Sequence, residues 1–417
     1  MPANSDRPKS IAIIGAGSRG AMFGELIRNH PFLGQIAAVA EPREERRQAI
    51  ADRHAIPPEL QFRAWQDLAA RPKLCDAVVI STLDRDHAGP AVVCLEKGYD
   101  VLLEKPMAST LDDCRRIEAA QRKTGRIVGV CHSLRYQKAF RKLRDLIAGG
   151  AIGRVVSLDH IEQVCYWHQA HSFVRGNWGN EGRSSSMLLA KSCHDLDYIS
   201  YLVDRPCLRV CSFGALTHFR PENAPAGAPE RCTDGCPVEA TCPYSAIRLY
   251  VHANRAAWPA EVISQDHSLE VHLQAIRTGP YGRCVYRADN DVVDHQVVAL
   301  EFADDVTATF TMTAFTQGGG RRTRVHGTEG EATFDEGKIT IRTFADNNTT
   351  TVAFGPEPGG HGGGDARVVR EWLQALHSGG DSRIVANAQE SLKTHTIVFA
   401  AEKSRRDKRM VELSEML

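Results

Sequence analysis

Gly15, Gly17 and Gly20 form the run G-x-G-x-x-G inside IAIIGAGSRGAMFGELI, where an apolar strand pattern passes through a glycine turn into a helix pattern. The first glycine permits the tight turn, the second lets backbone approach a pyrophosphate, and the third allows close helix–strand packing. The helix N-terminus, at Ser18 and Arg19, offers amide donors to phosphates. A second apolar run, at 36–40, ends in Glu41, placed where a carboxylate accepts hydrogen bonds from the adenosine ribose hydroxyls. That carboxylate repels a 2′-phosphate, which favours NAD over NADP; Arg43, Arg46 and Arg47 are the nearby groups able to pair with such a phosphate.

Two other stretches carry chemistry. Between Tyr166 and Trp178 the chain reads YWHQAHSFVRGNW. Aromatic faces set against C–H surfaces, with polar groups on hydroxyls, are how proteins hold sugars. Tyr166, His168, His171, Arg175 and Trp178 are therefore candidates for a substrate loop, joined by His132, Arg135 and Tyr136 in CHSLRYQ. Arg175 with Lys191 would suit an anionic substituent. In RCTDGCPVEATCPYSA, Cys232, Cys236 and Cys242 are spaced as three corners of a structural zinc site. Cys284 is the favoured fourth ligand, with Cys207, Cys211 and His218 as alternatives, and free core thiols are the competing account.

Strand and helix patterns alternate along the first third of the chain. A strand at 77–80 is followed by STLDRDH and a helix at 88–97; a strand at 100–103 ends at Glu104-Lys105-Pro106; a helix at 111–123 and a strand at 127–130 close the series. Such alternation implies a parallel, doubly wound sheet of the Rossmann kind, with ligands at the strand C-termini. Thr82, His87, Glu104 and Lys105 lie at those ends. The α/β fold expected is thus a dinucleotide-binding domain over 1–131, followed by a substrate-binding and oligomerisation domain over 132–417. GGGRRTR at 318–324 is expected to be a turn between strands, and PGGHGGGD at 358–365 a loop whose His361 could touch substrate.

The order GAGSRG, DAVVISTLDRDHAGPA, GYDVLLEKPMAST, then AIGRVVSLDHIE, CHDLDYISYLV, VHGTEGEATFDEG and HGGGDARVVREWLQAL, resembles the glucose–fructose oxidoreductase / inositol dehydrogenase (Gfo/Idh/MocA) family over nearly the whole chain. The resemblance implies a C-terminal domain with a large open mixed sheet whose free face often mediates homodimers or homotetramers. It also implies that Lys105 and His194 flank the substrate hydroxyl. Chemistry agrees, because removing hydride from a secondary alcohol needs a group to take the hydroxyl proton, and a cationic nicotinamide disfavours a charged amine beside it. One departure stands out: many members carry an aspartate four residues before the histidine, and this chain has Ala190 there, followed by Lys191. Asp195 or Asp197 could substitute.

The expected activity is NAD-dependent hydride transfer from a ring carbon of a sugar or glycoside. The alternative is an NAD-dependent redox glycosidase, in which transient oxidation acidifies the neighbouring C–H, elimination follows, and Tyr166, His168 or Tyr136 is the base. A non-catalytic NAD-binding regulator is a third class, which intact Lys105 disfavours. Composition narrows the partners: 51 basic residues balance 51 acidic ones among 417, without the basic excess of a nucleic-acid binder. No apolar run reaches the roughly 18 residues of a membrane span. The polar N-terminus MPANSDRPKS lacks a secretory h-region, so a cytoplasmic location with reduced thiols is expected.

Overall fold

The computed structural model describes residues 7–264, 266–380 and 384–417. Six short strands build the first sheet: β1 (Lys9–Ile14), β2 (Gly34–Ala40), β3 (Gln61–Phe62), β4 (Ala77–Ile80), β5 (Asp100–Leu103) and β6 (Val128–Val130). They pair in parallel in the order β3-β2-β1-β4-β5-β6. The central strands are buried on both faces, which is why they read as unbroken runs such as Ala77-Val78-Val79-Ile80 rather than alternating ones. Helices α1 (Ser18–Arg28), α2 (Glu44–His54), α3 (Trp65–Ala70), α4 (Ala88–Glu96) and α5 (Leu111–Thr124) make the crossovers. Their ends are marked locally: Thr110 caps α5 by accepting from the Asp113 amide, and Gly125 closes it at φ 64°.

After α6 (Lys138–Ala148), α7 (Tyr166–His168, continuing as a π-helical stretch, Gln169–Arg175), α8 (Met187–Ala190) and α9 (Cys193–Val203) lie between the first strands of the second sheet. That sheet comprises β7 (Val155–Gln163), β8 (Cys207–Ala215), β9 (His295–Phe302), β10 (Thr307–Thr313), β11 (Gly320–Gly327), β12 (Gly330–Asp335), β13 (Lys338–Thr343), β14 (Thr349–Ala353) and β15 (Val411–Glu412). Its order is β14-β13-β12-β11-β7-β10-β9-β8-β15, and β7–β10 is a parallel pair among antiparallel ones. One face packs on α6 and α9. The other leaves Val156, Phe213 and Val297 exposed. GGGRRTR begins as a turn, but from Gly320 onward it is already β11.

Two features bind the sheets into one body. Helix α11 (Gly364–Ser378) returns to the first sheet, where Val368, Val369, Trp372 and Leu373 join Ile11, Phe23 and Val79 in one core. Helix α12 (Ala388–Asp407), capped by Asn387, spans both sheets, touching α5, α9 and β8. Between β8 and β9 runs a long excursion with one α-helix among its described residues, α10 (Leu269–Thr278), one small apolar cluster of its own and a second shared with Ala170, Val174 and Ala314. Among the described residues no helix is long and apolar enough to cross a membrane.

Candidate active site

The glycine loop has the geometry its spacing predicts. Gly15 sits at φ +89° with its Cα against the Ser81 backbone: an added Cβ would lie 2.7 Å from the Ser81 oxygen. At Gly20 a Cβ would lie 2.0 Å from the Gly15 oxygen, so only glycine lets α1 pack here. Gly17 differs, since a Cβ there would meet nothing nearer than Arg46 Nη1 at 3.5 Å. Its backbone borders open space at the N-terminus of α1, beside exposed Ser18: a cradle that fits a pyrophosphate. Glu41 is buried, and its carboxylate accepts from the Ala16 amide (2.7 Å) and the Arg43 amide (3.0 Å), pinning the loop while keeping further lone pairs. Of the three arginines, Arg47 is turned inward onto the Glu41 carbonyl (2.8 Å), Arg43 is exposed, and Arg46 faces Gly17. These residues fit a nicotinamide dinucleotide.

The side chains of two proposed cofactor residues, Arg19 and His87, are engaged elsewhere. The Arg19 guanidinium pairs with Glu104 and, through two hydrogen bonds (2.8 and 3.0 Å), with buried Asp365 of α11. It is a brace between the first sheet and the returning helix. His87 Nδ1 bonds the Pro106 carbonyl (2.7 Å), and its Nε2 lies 3.3 Å from the Thr82 carbonyl, so it fastens the β4 loop to the β5 loop. Thr82 remains half-buried at the strand end, its hydroxyl on the Asp86 carbonyl (3.1 Å).

Lys105 and His194 come together. Lys105 Nζ donates to the Ala190 carbonyl (2.7 Å) at the end of α8, and among the described residues it has no carboxylate partner. His194 lies in the first turn of α9, fully buried, with neither ring nitrogen bonded. Burial first, then the Lys105 charge, then His361 and His132 hold the His194 ring neutral, well below the usual histidine range. The His361 and His132 rings are 5.4 and 5.9 Å from it. His361 is anchored to Asp365 (2.9 Å). Neither aspartate of the α9 motif replaces the one missing at Ala190: Asp197 takes Arg135 in a fork (2.7 and 2.8 Å), and Asp195 takes His160 and Arg321.

Sequence reasoning missed the charges next door. Glu162 of β7 holds Lys191 (2.9 Å) and Arg321 of β11 (2.9 Å), and Arg321 continues to buried Asp195. The signal was present in VVSLDHIEQ, where Leu158, His160 and Glu162 share the inward phase of a half-buried strand. Polar residues in a core-facing phase mark a buried network. His168 stands against these cations: burial, then Lys191, His171 and Lys105, lower its pKa to about 2. Its ring packs edge-on to Trp258 of the excursion at 4.9 Å.

The rest of the proposed substrate loop is mostly framework. His171 is buried, bonded to the Tyr250 hydroxyl (3.0 Å) and stacked on Tyr281 at 5.0 Å. Arg175 is buried between the Arg283 and Tyr244 carbonyls (both 2.7 Å). Trp178 Nε1 donates to Asp84 (3.0 Å), tying the loop to the first domain. Tyr136 is buried in the core of the first domain under Arg141, and its hydroxyl is pushed upward by burial, which removes it as a base. Tyr166 packs toward Tyr244, at 6.0 Å. His132 is fully buried behind His194. The order of the chain does not reveal which side of a loop faces the cleft, and packing decided it here.

Cys232, Cys236, Cys242 and Cys284 line one cavity, which Cys207, Cys211 and His218 do not. Among the described residues, no three His, Cys, Asp or Glu side chains are placed to hold an ion, so the expected coordination geometry is not present in the fold as it stands.

Acid should destabilise the fold through these histidines. His168 and His171 are held neutral, at about 2 and about 4, by burial foremost. Below the ordinary value near 6.5 the unfolded chain takes up protons the folded chain refuses, so stability falls as pH drops. Urea unfolding at pH 7 and pH 5 checks this, and equal midpoints would contradict it.

Against this geometry, two family models match the chain: "Oxidoreductase family, NAD-binding Rossmann fold" over 9–132, and "GFO/IDH/MocA C-terminal domain" over 140–333. The chain belongs to the Gfo/Idh/MocA oxidoreductase family. Among family relatives, YteT of Bacillus subtilis, named an oxidoreductase, is 27% identical over 331 residues, 75% of each chain. Inositol 2-dehydrogenase of Salmonella typhimurium is 32% identical over 143 residues, 34% of this chain and 42% of that one. An oxidoreductase from Agrobacterium radiobacter, solved with NAD+, L-tartaric acid and magnesium, shares the fold with a TM-score of 0.72 at 15% identity, over 98% of this chain and 99% of that one.

Proposed function

We propose that this chain is an NAD-dependent dehydrogenase that removes hydride from a ring carbinol carbon of a sugar or glycoside. The observation that carries the reading is the meeting of Lys105, held at the Ala190 carbonyl, with neutral, unbonded His194. Bound NAD supplies the hydride acceptor; Gly15, Gly17, Ser18, Glu41 and Thr82 are the residues that would hold it.

The Ala190 carbonyl orients the Lys105 amine through one N–H, placing the amine to take the substrate hydroxyl proton. His194, neutral in a buried first helical turn, has one nitrogen to donate and one to accept, and so fixes that hydroxyl. Trp258 and Trp167, 5.1 Å apart, offer apolar faces to the sugar ring, and Lys191 with His168 offers polar edges. The inositol dehydrogenase relative supports a polyhydroxylated ring as substrate. A second reading, the redox glycosidase, rests on His168, a polar group set against the Trp167 and Trp258 rings that simple dehydrogenation does not need. NADH that accumulates with turnover favours the dehydrogenase.

Cofactor choice rests on Glu41. Glu41→Ala is expected to weaken NADH binding about 10-fold or more, from lost charged hydrogen bonds, and to narrow the preference over NADPH. Fluorescence titration of both nucleotides measures it; an unchanged ratio would assign the choice to Arg46. The open face of the second sheet, with Phe213 68% and Val297 42% exposed, supports a homodimer or homotetramer. Sedimentation as a monomer at micromolar concentration would overturn that.

A further inference from the structure

Oxidising a carbinol leaves a proton to be carried away. The C–H electron pair departs with its hydrogen as hydride to bound NAD, the O–H pair becomes the second bond of the carbonyl, and one proton must reach water in every turnover. Under the proposed function, on which this inference rests, Lys105 takes that proton beside His194. Lys105 Nζ sits against the Ala190 carbonyl, and the His194 ring is buried with neither nitrogen bonded. An enclosed base of this kind needs an outlet. His132, 5.9 Å from His194, does not supply one, being 0% exposed and followed by buried His395 at 5.5 Å.

His361 is the neighbour that reaches solvent. Residues 359–363 all have left-handed backbone, and His361, at φ 40°, is the one among them that is not glycine. A histidine carries strain there that glycine would not, and strain held in place next to reactive groups points to a use for the side chain. The turn sets its ring centre 5.4 Å from that of His194 and its Nδ1 2.9 Å from Asp365 Oδ2. The His361 side chain is 34% exposed, whereas Asp365 is buried. Neutralising Asp365 does not require it: Arg19 gives that carboxylate two hydrogen bonds (2.8 and 3.0 Å) and Ser133 Oγ a third. What the carboxylate does for His361 is to hold a proton on Nδ1, leave the lone pair on Nε2, and favour the protonated ring.

We propose that His361, set by Asp365, is the proton outlet of the active site: it receives the substrate's hydroxyl proton from Lys105 by way of His194 and releases it to solvent. His194 accepts on one ring nitrogen and gives up the proton from the other, which a neutral imidazole does without turning over. The 5.4 Å between ring centres leaves room for one bridging water on the way to His361 Nε2. The exposed edge of His361 then hands the proton to bulk water, and Lys105, His194 and His361 return to their starting states. Hydride transfer is the one redox step, and no further reagent is needed. His361 acts through His194 and does not touch the reacting carbon, so it is a positioning and relay residue.

The test compares the full unmodified chain with His361→Asn, since asparagine tolerates left-handed backbone but cannot relay a proton. His361→Gln is a second variant with the same expected outcome. One arm needs no substrate: exchange of the His194 ring N–H with deuterated solvent, followed by nitrogen NMR on histidine-labelled chain, should slow several-fold in both variants. The other arm is single turnovers on a sugar that the unmodified chain oxidises. Turnover should fall about 10²-fold, the low end for a positioned acid–base group, and free imidazole should restore it in proportion to its concentration. Exchange as fast in the variants as in the unmodified chain would overturn the proposal. So would a loss of turnover that imidazole leaves untouched, the mark of a merely structural part. A chain that oxidises no sugar would count against the proposed function, while the exchange arm still decides the relay.

Discussion

Lys105→Ala is expected to lower turnover by about 10²–10⁴-fold, the range for loss of a positioned acid–base group, with NADH affinity close to that of the unmodified chain. The two effects separate because the proposed reaction places Lys105 at the reacting end and assigns the dinucleotide to the Gly15–Gly20 turn with Glu41. The Lys105 side chain makes one hydrogen bond, to the Ala190 carbonyl, and no ion pair among the described residues. Its removal therefore leaves no buried carboxylate stranded, and folding should survive. Stopped-flow single turnovers and NADH fluorescence titrations measure the two quantities. Unchanged turnover would remove Lys105 from the mechanism.

Arg321→Met should cost stability rather than chemistry alone. Arg321 is shared by Glu162 and Asp195, whose side chains are 3% and 0% exposed. Its loss leaves two buried carboxylates with Lys191 and His160 as their remaining partners. Removing one member of a buried pair costs about 3–5 kcal/mol, and the surviving partners place this case near the lower end. Equilibrium urea unfolding reads the loss directly. A stability within about 0.5 kcal/mol of the unmodified chain, the scatter of surface changes, would mean the network is solvated rather than buried. Lys191, held by the same Glu162, would shift too, so KM should rise more than kcat falls.

The first sheet was legible because its signals are local. Continuous apolar runs at 77–80 and 100–103, a glycine turn and capped helices each follow from a few neighbouring residues. The glycine turn and the placement of Lys105 just beyond β5 were legible for the same reason. What was not legible depends on partners far apart in sequence. The Arg19 amide was readable as a phosphate donor at the start of α1, but not that its guanidinium would be taken by Asp365 of the returning helix. Arg175 looked like a substrate cation, yet carbonyls at 244 and 283 enclose it. Arg321 lay inside a glycine-rich run whose composition suggested a turn, and only the β7–β11 register sets it over Glu162. The departure at Ala190 was readable, but not that its carbonyl, rather than a side chain, would hold Lys105.

The central claim is tested most directly by incubating the enzyme with NAD and a panel of free sugars and nitrophenyl glycosides, following NADH absorbance and nitrophenol release together. The account predicts NADH formed in proportion to sugar consumed, without nitrophenol. Nitrophenol release that requires NAD while NADH does not accumulate would contradict it and assign the site to a glycosidase.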